Sequence, residues 1–126
     1  ANYKQFVDTT SNSGFTTLQY RSFPIGIGGY VPINPRKTWA IGGKAYFHLF
    51  PHLTETPFSS GGDPDNNINQ FLFYAENKIS ERLRWNFGLE FLILSTTFNG
   101  PGSRPQTASN LSQRYTLFTT GVDYLF

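Results

Sequence analysis

Cysteine is absent from this chain, which excludes disulfides, thiolate chemistry and cysteine-based metal sites. Methionine is absent too, so Ala1 is not an initiator residue. Either a signal peptide has been removed before it or the chain is cut from a longer one. Charge is scarce: Asp, Glu, Lys and Arg make up 14% of the residues, against about 25% in an ordinary soluble domain. Something other than water is therefore expected to face much of the surface. Long apolar runs are missing as well. Stretches such as Phe91-Leu92-Ile93-Leu94 fall far short of the ~20 residues of a membrane helix. A net charge of +2, with positive residues scattered, gives no footing for nucleic acid. With 126 residues, the chain 1–126 is read as a single domain.

Aromatic residues are what the chain has in excess: 17% of it, including thirteen phenylalanines. They recur at alternate positions, the period of a strand with two unlike faces. Between Arg82 and Ser95, one face carries Leu83, Trp85, Phe87, Leu89, Phe91 and Ile93. The other carries Arg82, Arg84, Asn86, Gly88 and Glu90. Upstream, Phe71, Phe73 and Ala75 alternate against Gln70, Leu72, Tyr74 and Glu76. Folding the two segments about Ile79-Ser80-Glu81 brings the aromatic faces together and sets Glu76 against Arg84. A one-residue slip would break both matches. A second hairpin is expected between 23–33 and 38–50 with its loop at 34–37. It sets Gly26 and Gly28 against Tyr46 and Lys44, small against large. Pro24 predicts a register change near Phe23-Pro24. Residues 2–8 read as a weaker strand reached through a turn at 9–14. Residues 51–68 and 98–110 are polar and rich in Gly and Pro, and read as long exposed loops.

The last seventeen residues, Asn110 to Phe126, alternate to the final position. Phe118, Thr120, Val122, Tyr124 and Phe126 form the more apolar face. This segment resembles the carboxy-terminal strand of bacterial outer-membrane β-barrels. In that family a terminal Phe, with apolar residues two and four places earlier, forms an assembly signal; here these are Phe126, Tyr124 and Val122. The resemblance implies insertion by the barrel assembly machinery and residence in the outer membrane of a Gram-negative bacterium. The fold class expected is all-β, an antiparallel transmembrane β-barrel. Six strands are readable, whereas single-chain barrels start at eight. An extra strand pair within 14–33, a share in a larger barrel, or other protein chains completing the barrel would each supply the difference.

On this reading Phe71, Phe73, Leu83, Trp85, Phe87, Leu89 and Phe91 face lipid. Lys44, His48, Glu76, Arg82, Arg84 and Glu90 face a lumen, either as a salt-bridged plug or as a charged pore lining. Trp39, Trp85, Tyr124 and Phe126 lie at the short-turn ends, where an interfacial aromatic belt belongs. The expected role is that of an integral outer-membrane barrel, structural or small-pore, with loops 51–68 and 98–110 exposed to partners. The alternative is a soluble lipocalin-like barrel whose apolar face surrounds a hydrophobic ligand.

Enzymatic chemistry finds little support. His48 and His52 are the two histidines. Lipid hydrolysis would need a serine and an acid beside one of them, with Ser22 only a loose candidate. Asp63-Pro64-Asp65-Asn66-Asn67 has alternate oxygen ligands, as calcium loops do. Ile68 and Tyr74 then stand where such a loop needs Gly and Glu, so a solvated turn is the reading. Gly26-Ile27-Gly28-Gly29 lacks nucleotide-loop spacing. No enzyme activity, cofactor or metal is expected.

Overall fold

A computed structural model describes residues 2–7, 16–56, 59–103 and 109–124. The strands are β1 (Asn2–Val7), β2 (Thr16–Pro32), β3 (Trp39–Thr56), β4 (Gly61–Lys78), β5 (Leu83–Pro101) and β6 (Asn110–Tyr124). They form one antiparallel sheet in chain order, each strand bonded to its sequence neighbours. Among the described residues β1 and β6 do not pair, so the sheet is open. In β1–β2, Asn2 faces Arg21 and Val7 faces Thr16. In β3–β4, Trp39 faces Asn77 and Phe47 faces Asn69. The turn expected at 9–14 and the terminal Phe126 lie outside the described residues.

Three sequence expectations are corrected. The long loops at 51–68 and 98–110 are mostly strand. β3 continues to Thr56, β4 begins at Gly61, β5 runs to Pro101 and β6 starts at Asn110. The prolines that suggested loops are accommodated by bulge-like distortions. Phe50, before Pro51, has φ 51°, and Asp63, before Pro64, has φ 46°. Such kinks let a strand carry a residue with no N–H to donate. Along β3 the shielded positions change parity there, from His48 to Leu53. β2 is one continuous strand through Phe23-Pro24. An extra strand pair within 14–33 is therefore ruled out.

The turn between β4 and β5 is also shifted. The Ile79 N–H donates to the Leu83 carbonyl (2.9 Å), leaving Ser80, Glu81 and Arg82 as the turn. Ser80 Oγ accepts from the Arg82 and Leu83 N–H groups (3.3 and 3.1 Å). That side-chain turn holds the bend one residue later than the pattern suggested.

Contacts divide the chain into two compact units. Unit 1 comprises Ala1–Ile25, His48–Ile68 and Ile93–Gln113. Its core is Leu18, Tyr20, Leu53, Ile68, Leu94 and Phe98, all buried. A hydrogen-bond chain crosses that core. Tyr20 Oη lies 2.8 Å from Thr96 Oγ1, which donates to Asn66 Oδ1 (2.7 Å). Thr96 has one hydroxyl proton, so Tyr20 must be the donor in the first bond. Asn66 Nδ2 then reaches the carbonyls of Pro51 and Pro64 (3.4 and 3.3 Å). One polar chain thus links β2, β5, β4 and β3 and fastens both distorted sites. Glu55 accepts from the Ser60 hydroxyl (2.6 Å) and backbone N–H, closing the β3–β4 link.

Unit 2 comprises Gly26–Phe47, Asn69–Leu92 and Arg114–Phe126. One face is apolar and uncovered: Ile27, Phe73, Phe118 and Val122 are each more than half exposed. Its rings interlock edge to face, Trp39 on Trp85, Trp85 on Phe87, Phe87 on Phe118 and Phe73 on Phe91. Such contacts add roughly 0.5–1.5 kcal/mol each beyond area burial.

Candidate functional site

The site is built on the polar face of unit 2, at the alternate positions of β3, β4 and β5. Period-2 alternation aims Lys44, Tyr74, Glu76, Arg84 and Glu90 away from the aromatic rings. Space for the long side chains comes from glycines on the neighbouring strand. A Cβ on Gly26 would stand 2.7 Å from the Tyr46 ring, and one on Gly28 would collide with the Lys44 stem. The small-against-large match read from sequence is therefore steric.

Every described carboxylate on this face has a close partner. Gln70 Nε2 donates to Glu90 Oε1 at 2.6 Å. Asn86 Nδ2 donates to Asp123 Oδ2 at 2.7 Å. Arg84 Nη1 lies 3.4 Å from Glu76 Oε1, both side chains being about 40% exposed (41% and 39%). That separation is long for a charge-assisted bond, which favours about 2.7–2.9 Å. Arg84 Nε is buried and has no hydrogen-bond partner. Lys44 Nζ stands 6.0 Å from the Tyr74 ring centroid, at the limit of a cation–π contact. Among the described residues no carboxylate pairs with Lys44. A cavity of about 470 Å³ opens here, lined by Tyr30, Lys44, Leu72, Tyr74, Glu76 and Arg84.

Four of the six polar residues singled out in the sequence, Lys44, Glu76, Arg84 and Glu90, share this unit and face. Arg82 does not join them: it is exposed in the β4–β5 turn. The shifted turn removes it from the strand that the alternation assigned to it. His48 belongs to unit 1, nearly buried, with Nδ1 2.8 Å from Ser22 Oγ. In a Ser-His-Asp triad the nucleophile meets Nε2, and Nδ1 is held by the acid. Ser22 sits at Nδ1, the nitrogen that the acid takes in that triad. Asp63 and Asp65 are exposed on β4 rather than in a turn. Gln70, Asn86 and Tyr74 were not picked out as site residues. Their positions in the alternation were the available signal, but a neutral side chain gives no electrostatic cue in sequence.

The apolar side of unit 2 holds Phe71, Phe73, Trp85 and Phe87 exposed, with Leu83, Leu89 and Phe91 half-exposed. Val122 and Tyr124 are more than half exposed. Gly43 forms part of a depression of about 640 Å³ flanked by Val31, Ile41, Phe73, Phe87 and Leu89. Comparison with protein-family models, curated proteins and solved structures yielded no match to this chain.

Proposed function

We propose that unit 2 is a membrane-crossing β-sheet and that the chain is part or all of a bacterial outer-membrane β-barrel, structural or small-pore in role. The observation that carries this reading is the inverted patterning of unit 2. Large apolar side chains crowd an uncovered face while Glu76, Arg84, Glu90 and their polar partners gather on the other. In water a contiguous apolar face of this kind would be a surface prone to association. Against hydrocarbon it is at rest. Strand length agrees for four of the five strands: within unit 2 they cover 39–47, 69–78, 83–92 and 114–124, near the ~9–11 residues a tilted membrane strand needs, while β2 contributes the shorter stretch 26–32. An open edge is not tolerated in lipid, so the barrel is closed by further strands, from this chain's continuation or from other chains. Outer-membrane lipids and the barrel assembly machinery are the partners this implies.

Lipid-borne quenching tests it. In a Trp39→Phe background, Trp85 is the single fluorophore. Its emission should be quenched when the protein is reconstituted with phospholipids brominated on their acyl chains. Solubility without detergent, with Trp85 indifferent to brominated lipid, would overturn the reading in favour of a water-soluble barrel.

A further inference from the structure

We infer that the cavity on the polar face of unit 2 is a subsite for a small oxyanion, a phosphate or carboxylate group, held between Lys44 and Arg84. The inference rests on the imbalance of partners on that face. Glu90 and Asp123 are each engaged by a side-chain amide at 2.6 and 2.7 Å. Glu76 is the one carboxylate in the cavity wall, and it meets Arg84 only at 3.4 Å. Neither cation of the wall has a carboxylate at charge-assisted hydrogen-bond distance. Arg84 keeps a buried Nε–H with no acceptor, and an orphaned charged donor is costly. Lys44 has only the Tyr74 ring, at 6.0 Å.

An oxyanion in the cavity supplies what is missing. One oxygen accepts from an Arg84 Nη–H and another faces the Lys44 ammonium, with the two cations flanking the group. Tyr30 and Tyr74 line the same space, so a hydroxyl is available to a third oxygen. Glu76 acts as the internal competitor: it occupies Arg84 weakly and repels an incoming anion. The wall carries two positive groups and one negative, so an anion is favoured and a cation is not. This deepens the membrane reading by naming the solute class that its polar side would admit.

The test is titration of the full chain, refolded in detergent micelles at low salt, with inorganic phosphate and separately with acetate. Binding is followed by calorimetry, and folding of each variant by circular dichroism. Saturable binding is expected for at least one anion, and the stronger of the two identifies the class. Arg84→Gln and Lys44→Gln should each weaken it about tenfold, the size expected for losing one charged hydrogen bond. Glu76→Gln should tighten it. Lys78→Gln, which removes a cation paired to Glu81 in the turn region, should leave it unchanged. Absence of saturable binding, or equal loss in Lys78→Gln, would overturn the subsite. Vesicle flotation of the same preparation separates the two ideas. A chain that floats without binding anions retains the membrane reading alone; one that binds anions without floating retains the subsite alone.

Discussion

The two units share strands β2 to β6 but shield different side chains from solvent. In unit 1 the side chains removed from solvent include Leu18, Leu53, Ile68, Leu94 and Phe98, while Asp63, Asp65, Asn67 and Asn99 are exposed, as are Phe23, Ile25, Leu49 and Phe50 toward its border with unit 2 in sequence. In unit 2 the exposed set includes Ile27, Phe73, Phe87, Phe118 and Val122, and the half-shielded set includes Glu76, Arg84 and Glu90. Strand β5 passes through both. Its alternate positions read Arg84, Asn86, Gly88, Glu90, then Leu92, Leu94, Thr96, Phe98. The alternation does not break; the chemistry at the same parity does. Period 2 therefore sorts side chains into two sets, and only the medium around each stretch decides which set must be apolar.

The largest expected effect sharpens that contrast from the unit 1 side. Leu94→Ala leaves a cavity in a packed core and should destabilise the protein by about 2–5 kcal/mol in urea unfolding. The loss should be of similar size whether the protein is in micelles or vesicles, since this core does not depend on lipid. Phe73→Arg addresses unit 2. It should cost about 2–4 kcal/mol in phospholipid vesicles, where a charge near the bilayer centre is opposed. In water an exposed position would tolerate it to within about 0.5 kcal/mol, so a silent Phe73→Arg in vesicles would break the comparison. Thr96→Val should come next. It removes the hydroxyl that joins Tyr20 to Asn66 in a buried site, for about 1–3 kcal/mol. Smallest is the Glu76–Arg84 pair. Its side chains are 39% and 41% exposed, and solvent screening should hold the coupling below about 1 kcal/mol in a double-mutant cycle. A larger coupling would mean that this face is drier than an open polar surface.

Much of unit 2 was legible because its alternation is strict. Trp85, Phe87, Leu89 and Phe91 against Arg84, Asn86 and Glu90 leave one arrangement for a half-exposed strand, and the Glu76–Arg84 contact followed from it. Unit 1 was harder. Pro51, Pro64, Gly61, Gly62 and Gly100 are turn formers, and they outweighed the apolar Leu53, Ile68 and Phe98 spaced among them. Left-handed backbone at Phe50 and Asp63 resolves the conflict. For a residue as bulky as Phe that conformation is an outlier of order 1–3 kcal/mol. It is held in place by surrounding contacts, such as the Asn66 amide on Pro51 and Pro64, and no local rule predicts them.

By itself, then, the order of residues determined the strand period, the separation of aromatic from charged side chains and the small-against-large match of Gly26 and Gly28 with Tyr46 and Lys44. These depend on neighbours two residues apart or directly across one hairpin. The tertiary structure decided the rest: where β3 and β5 end, which way Arg82 points its chemistry, the meeting of Ser22 with His48, and which cations of the polar face lack an acceptor. Each is settled by contacts between segments distant in the chain, whose energies depend on the whole set of partners rather than on any residue pattern.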